Sequence, residues 1–105
     1  MAIQIHAKGL TLLDEEKAHA QEKAERILHL SKNAESNESV KVKFEIDKEQ
    51  GEDKQHQFTC TITLDLPGKV LRAESHNSGV YSAIDDASKK MKAQFQKEKG
   101  KGKHM

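Results

Sequence analysis

The chain has 105 residues, of which 34% are hydrophobic and 33% charged. That length gives room for one domain and no more, with a thin single core. It contains no apolar run near the roughly 20 residues a bilayer span requires, and a lone Cys60 excludes an internal disulfide. The start Met1-Ala2-Ile3-Gln4-Ile5 has neither the basic opening nor the long apolar stretch of a secretory signal. A reducing cytoplasm is the expected compartment.

The net charge of +1 conceals a polarised layout. From Lys89 to Met105 seven lysines and one acid give +6, which leaves −5 for the rest of the chain. Such an asymmetry points to a polyanionic partner for the C-terminal end. It also suits the negative end of a helix dipole, so charge alone leaves both readings open.

In chain order, Ile3 and Ile5 alternate with Gln4 and His6, which predicts a first strand. A turn around Lys8-Gly9 follows. Thr11 or Asp14 is the expected cap of a helix that runs to about Leu30. Its apolar stripe is Ala20, Ala24, Ile27 and Leu28, with Glu16 at an inward position near the start. Ser31 to Ser39 is polar and loop-like. Val40, Val42, Phe44 and Ile46 then alternate with Lys41, Lys43 and Glu45. After a charged turn from Asp47 to Gln55 centred on Gly51, Phe58, Cys60, Ile62 and Leu64 alternate with Thr59, Thr61 and Thr63. These two runs predict a hairpin with one apolar face.

Pro67-Gly68 suits positions i+1 and i+2 of a type II turn. A shorter strand from Val70 to Ser75 should turn Leu71 and Ala73 inward. Asn77 or Ser78 is the expected cap of the last helix. Val80, Ile84, Ala87, Met91 and Phe95 form its apolar stripe, with Tyr81 alongside. Asp85 and Asp86 fall early and the lysines late, as the dipole prefers. The expected fold class is α+β: a two-layer sandwich in the order β-α-β-β-β-α, its four-stranded sheet covered on one face by two helices. Residues 1–98 form the single domain and 99–105 a flexible basic tail.

Little in this pattern carries catalytic or metal chemistry. Cys60 shares the register of Phe58 and Ile62 and belongs to the apolar face rather than to a nucleophile. The six histidines lack the close spacing of a zinc site. Asp85 and Asp86, adjacent on a helix, point about 100° apart and cannot readily share a proton or an ion. No phosphate loop or nucleophile motif is present, so an enzyme, a cofactor and a small-molecule substrate are not expected.

The lysines form the one constellation with a chemical direction. On the last helix Lys90, Lys97 and Lys101 recur at i, i+7 and i+11, flanked by Lys89, Lys92 and Lys99. Lys23 and Arg26 are three apart on the first helix. If both helices cover the same face of the sheet, these eight groups form one basic field. Lysine is a point charge suited to phosphate rather than to base edges. No tryptophan and only one tyrosine are present, and the outward strand positions are Thr, Lys, Glu and Gln. A base-stacking sheet is therefore not expected, and the field should read backbone and shape.

Ala73-Glu74-Ser75 and Val80-Tyr81-Ser82-Ala83-Ile84-Asp85, followed by Lys90, Gln94 and Lys97, resemble the ribosome hibernation-promoting factors and ribosome-associated translation inhibitors. The segment Tyr-x-Ala-Ile-Asp is the most specific mark, and the element order extends the resemblance over about residues 2–99. Lys23 and Arg26 match paired basic positions of that family's first helix. The chain departs from the pattern at Gly79, Ala93, Glu16 and His19.

The resemblance implies a double-stranded-RNA-binding-like fold, a short form without a dimerising C-terminal domain, and a monomer when free. It also implies a seat on the small ribosomal subunit, against ribosomal RNA, where messenger and transfer RNA lie. Occupying that channel would block translation in stress, with no cofactor and no membrane. The alternatives are a general RNA-binding module acting off the ribosome, and a protein-interaction domain using the open sheet face.

Overall fold

The computed structural model describes residues 2–30, 40–48, 57–66 and 68–102, with side chains to His29 in the first helix and to Lys97 in the last. The elements are β1 (Ala2–Lys8), α1 (Asp14–Leu30), β2 (Lys41–Lys48), β3 (Phe58–Leu66), β4 (Lys69–Asn77) and α2 (Val80–Gly102). They make the α+β fold expected from the pattern. The expected loop at 31–39, residues 49–55 of the expected turn and Pro67 lie outside the described residues, while Asp47 and Lys48, expected in that turn, instead end β2 by pairing with Thr59 and Phe58.

The sheet runs in the order β1-β2-β3-β4. β1 lies parallel to β2, as a strand–helix–strand crossover allows, and the other two pairings are antiparallel. Register follows from the period of two: Phe44 stands between Ile5 and Ile62, and Ile62 is next to Ala73. Slipping any strand by one residue would turn this whole apolar row to water. Val42, Phe44, Ile46, Cys60, Ile62 and Leu64 are fully buried beneath the helices. Burial pushes the Cys60 thiol up from 9.0 to about 12, consistent with a core residue. Gly68 has φ +75°, which position i+2 of a type II turn requires.

Both helices lay apolar faces on this row. Ala20, Ala24, Ile27 and Leu28 of α1, and Val80, Ala83, Ile84, Ala87 and Met91 of α2, are buried. Ser75, on the same face of β4, is also buried and donates to the Ala83 carbonyl at 2.8 Å, so its hydroxyl is satisfied.

The helix starts differ from the expected ones. The cap of α1 is neither Thr11 nor Asp14 but Leu13, whose carbonyl accepts from Lys17 N–H at 3.0 Å. Glu16, three residues on, reaches back and accepts the Leu13 N–H at 2.8 Å. This is the return half of a capping box, and it explains an acid at a position the apolar stripe would fill. At α2 the cap is Gly79, whose carbonyl accepts from Ala83 N–H at 3.0 Å, rather than Asn77 or Ser78.

No acid stands in the first turn of α2. Asp85 and Asp86 lie beyond the free N–H groups, so the dipole does not account for them. The segment expected as a flexible tail from residue 99 is helical in its backbone to Gly102. Lysines late in a helix favour such an extension.

Candidate functional site

α2 presents two flanks on either side of its buried stripe. At 100° per residue, Tyr81, Asp85, Ser88 and Lys92 fall on one side of that stripe, and Asp86, Lys90, Gln94 and Lys97 on the other. The first flank meets α1 and the second meets the free edge of β4.

Where α2 meets α1, the residues of the Tyr-x-Ala-Ile-Asp segment hold the seam. Asp85 Oδ1 accepts from His19 Nε2 at 2.6 Å and lies 3.8 Å from Lys23 Nζ. The His19 ring stands edge-on to Tyr81, with centroids 5.0 Å apart and planes at 69°. Tyr81 is raised above its ordinary 10.0 by desolvation, then by Glu15 and Glu16 at the start of α1. His19, an unusual residue for an apolar helix position, is thus explained by a polar contact between the two helices. Beside this seam a groove of about 330 Å³ is lined by Lys23, Arg26, Lys89 and Lys92, with Ser88, Asp85 and Ile27 at its floor and wall.

The other flank forms a second groove, of about 390 Å³, lined by Arg72 and Glu74 of β4 and by Lys90, Ala93, Gln94 and Lys97. Here two side chains are committed to the strand. Lys90 Nζ donates to the Glu74 carbonyl at 3.2 Å, and Gln94 Nε2 to the Arg72 carbonyl at 2.6 Å.

The eight basic residues expected to form one field therefore divide. Lys23, Arg26, Lys89 and Lys92 share the inter-helix groove, while Lys90 and Lys97 stand across α2 from them. The backbone of Lys99 and Lys101 continues α2, and their side chains are outside the described ones. The reason for the division is the rotation of α2, which the packing of Ile84, Ala87 and Met91 fixes.

Some of these charges have acidic neighbours. Arg26 pairs with Glu22 at 2.7 Å and Lys90 with Asp86 at 3.5 Å, each at i,i+4. These are exposed pairs, which contribute little and exchange readily for a stronger anion. Lys89, Lys92 and Lys97 have no ion pair with a described residue. Arg72 is the basic residue that the sequence pattern did not single out. It sits on β4, and the packing of that strand beside α2 places it in the lining of the groove with Lys90 and Lys97. The helical wheel of α2 was the signal that would have separated the two flanks.

The open face of the sheet carries Gln4, His6, Lys43, Glu45, Thr61, Arg72 and Glu74. His76 there bonds both Thr59 Oγ1 at 3.0 Å and Glu74 at 2.9 Å, which a single ring tautomer satisfies. Among the described residues no three His, Cys, Asp or Glu side chains are grouped to hold a metal ion. No described helix is long and apolar enough to cross a membrane.

Solved structures share this architecture. The N-terminal domain of Thermus thermophilus Protein Y superposes with a TM-score of 0.68 at 21% identity, covering 90% of this chain and 94% of that one. A ribosomal subunit interface protein from Coxiella burnetii superposes with a TM-score of 0.72 at 18% identity, covering 95% and 99%. No curated protein sequence matches significantly. The profile of one family matches residues 3–103, nearly the whole chain, and on that match the protein belongs to the Sigma 54 modulation protein / S30EA ribosomal protein family.

Proposed function

We propose that this chain binds the ribosome in the cytoplasm and holds it idle by occupying the mRNA–tRNA channel of the small subunit. The observation that carries the proposal is the convergence of Lys23, Arg26, Lys89 and Lys92 on one groove between the helices, in a chain of near-neutral net charge. Four cations from two helices, spaced along a trough, fit a run of phosphates better than a compact ligand. Lys90, Lys97, Lys99 and Lys101 extend the contact along α2. Family membership and the fold shared with a ribosomal subunit interface protein support the choice of the ribosome over free RNA.

The action is steric. Bound RNA phosphates position the domain, and its bulk excludes messenger and transfer RNA without a chemical step. Sucrose-gradient sedimentation of ribosomes with added protein tests this. The protein should travel with the small subunit, resist competition by free duplex RNA, and lower occupancy of messenger RNA. Sedimentation with free RNA alone would show that the ribosome is not the target.

A further inference from the structure

Among the described residues, a sheet ordered β1-β2-β3-β4 leaves the outward backbone groups of its two outer strands without a strand partner. On β4 two of these groups are occupied. The Glu74 and Arg72 carbonyls accept from Lys90 and Gln94 at 3.2 and 2.6 Å. Residues two apart on a strand present their backbone polar groups to the same side, so both acceptors lie on the side away from β3. They are the acceptors a fifth strand would use. The spacing matches as well. One helical turn of four residues rises about 6 Å and two strand residues about 6.8 Å, so donors at i and i+4 of α2 align with acceptors at i and i+2 of β4.

We infer that Lys90 and Gln94 form a latch that closes the β4 edge to strand addition by a second copy of this chain. The occupant follows from β4 itself. Paired antiparallel about Ala73, the strand sets Arg72 against Glu74 of the second copy, Glu74 against its Arg72, and Val70 against its His76. Opposite charges directly across a pair of strands attract, and like charges repel. Sliding the pairing by two residues sets Arg72 against Arg72, or Glu74 against Glu74, so one register is selected. β1 offers no such match: paired about Ile5, it sets Gln4 against His6. In the single chain Glu74 is held by His76 at 2.9 Å, and pairing would replace that contact with the second copy's arginine.

The test is the mass of the full chain in sedimentation velocity over a concentration series. Wild type should remain a single copy. Lys90→Ala with Gln94→Ala removes both donors while alanine keeps α2 helical, and should shift the chain to the mass of two copies. Adding Arg72→Glu to that variant should return it to one copy. Adding Glu74→Arg as well should restore two.

A double variant that stays single at every concentration overturns the latch, as does a wild type already paired through Arg72 and Glu74. Pairing that ignores Arg72→Glu overturns the assigned occupant. If circular dichroism shows the double variant unfolded, Gln94→Met removes one donor and keeps the side-chain stem. It should then give the same shift at higher concentration, and no shift overturns the latch.

Discussion

The two grooves along α2 have similar volumes and cationic linings, yet their side chains have different partners. Between the helices, Lys89 and Lys92 are exposed and have no ion pair with a described residue, Lys23 reaches an exposed acid at 3.8 Å, and Arg26 pairs with Glu22 at 2.7 Å. Beside β4, Lys90 is shared between the Asp86 carboxylate and the Glu74 carbonyl, and Gln94 is held by Arg72. The first groove thus holds two cations, Lys89 and Lys92, without an acidic partner among the described residues, beside two, Lys23 and Arg26, in exposed pairs that a stronger anion can displace. The second commits part of its polar capacity to the edge of its own sheet. A count of lysines does not distinguish them, whereas the partner of each ammonium does.

Reversing charge in the inter-helix groove should have the largest effect. Lys89→Glu with Lys92→Glu replaces two attractions by two repulsions, and affinity for small subunits should fall at least about 100-fold in low salt. The same reversal at Lys90 and Lys97 should cost clearly less, as measured by filter binding or fluorescence anisotropy. Equal losses would erase the distinction between the grooves.

Phe44→Ala, at a core residue that lines neither groove, should destabilise the fold by about 3–5 kcal/mol in urea denaturation. Its ribosome affinity, measured on the remaining folded fraction, should be that of wild type. Asp85→Asn removes a carboxylate from the groove lining and releases Lys23. Polyanion affinity should rise a few-fold, at a stability cost below about 1 kcal/mol.

Cys60 supplies a pH-dependent control that touches neither groove. Its folded-state value is raised to about 12 from 9.0, so the protonated thiol is favoured in the fold. The stability this contributes is full below 9.0 and is lost as pH rises toward 12. Alkylation by iodoacetamide at neutral pH should therefore be slow until denaturant is added. Rapid labelling of native protein would place Cys60 outside the core. The smallest effect is expected for Gln94→Ala, which removes one exposed hydrogen bond worth about 1 kcal/mol and should leave single-chain affinity for small subunits nearly unchanged.

Much of the fold was legible because its signals are local and periodic. The alternation in Val42-Phe44-Ile46 and Cys60-Ile62-Leu64 fixes two strands, their inward faces and their hairpin pairing. The Ala20-Ala24-Ile27 and Ile84-Ala87-Met91 stripes fix both helices and the face each buries. What pattern alone missed depends on contacts between distant residues. His19 and Asp85 are 66 positions apart in sequence, and Gln94 and Arg72 are 22 apart. Glu16 breaks the α1 stripe because it serves the backbone at the helix start. Lys90, Lys97 and Lys101 do follow one helical spacing, but that spacing alone does not say which neighbour their flank meets. The rotation of α2 on the sheet decides it.

The salt dependence of small-subunit binding tests the central claim most directly, with wild type compared to Lys89→Ala, Lys92→Ala. Removing one ammonium that neutralises a phosphate should reduce the slope of log affinity against log salt by roughly 0.7 to 0.9, so the double variant should show a slope shallower by between about one and two units. An unchanged slope and affinity would mean that the groove between the helices does not meet ribosomal phosphate.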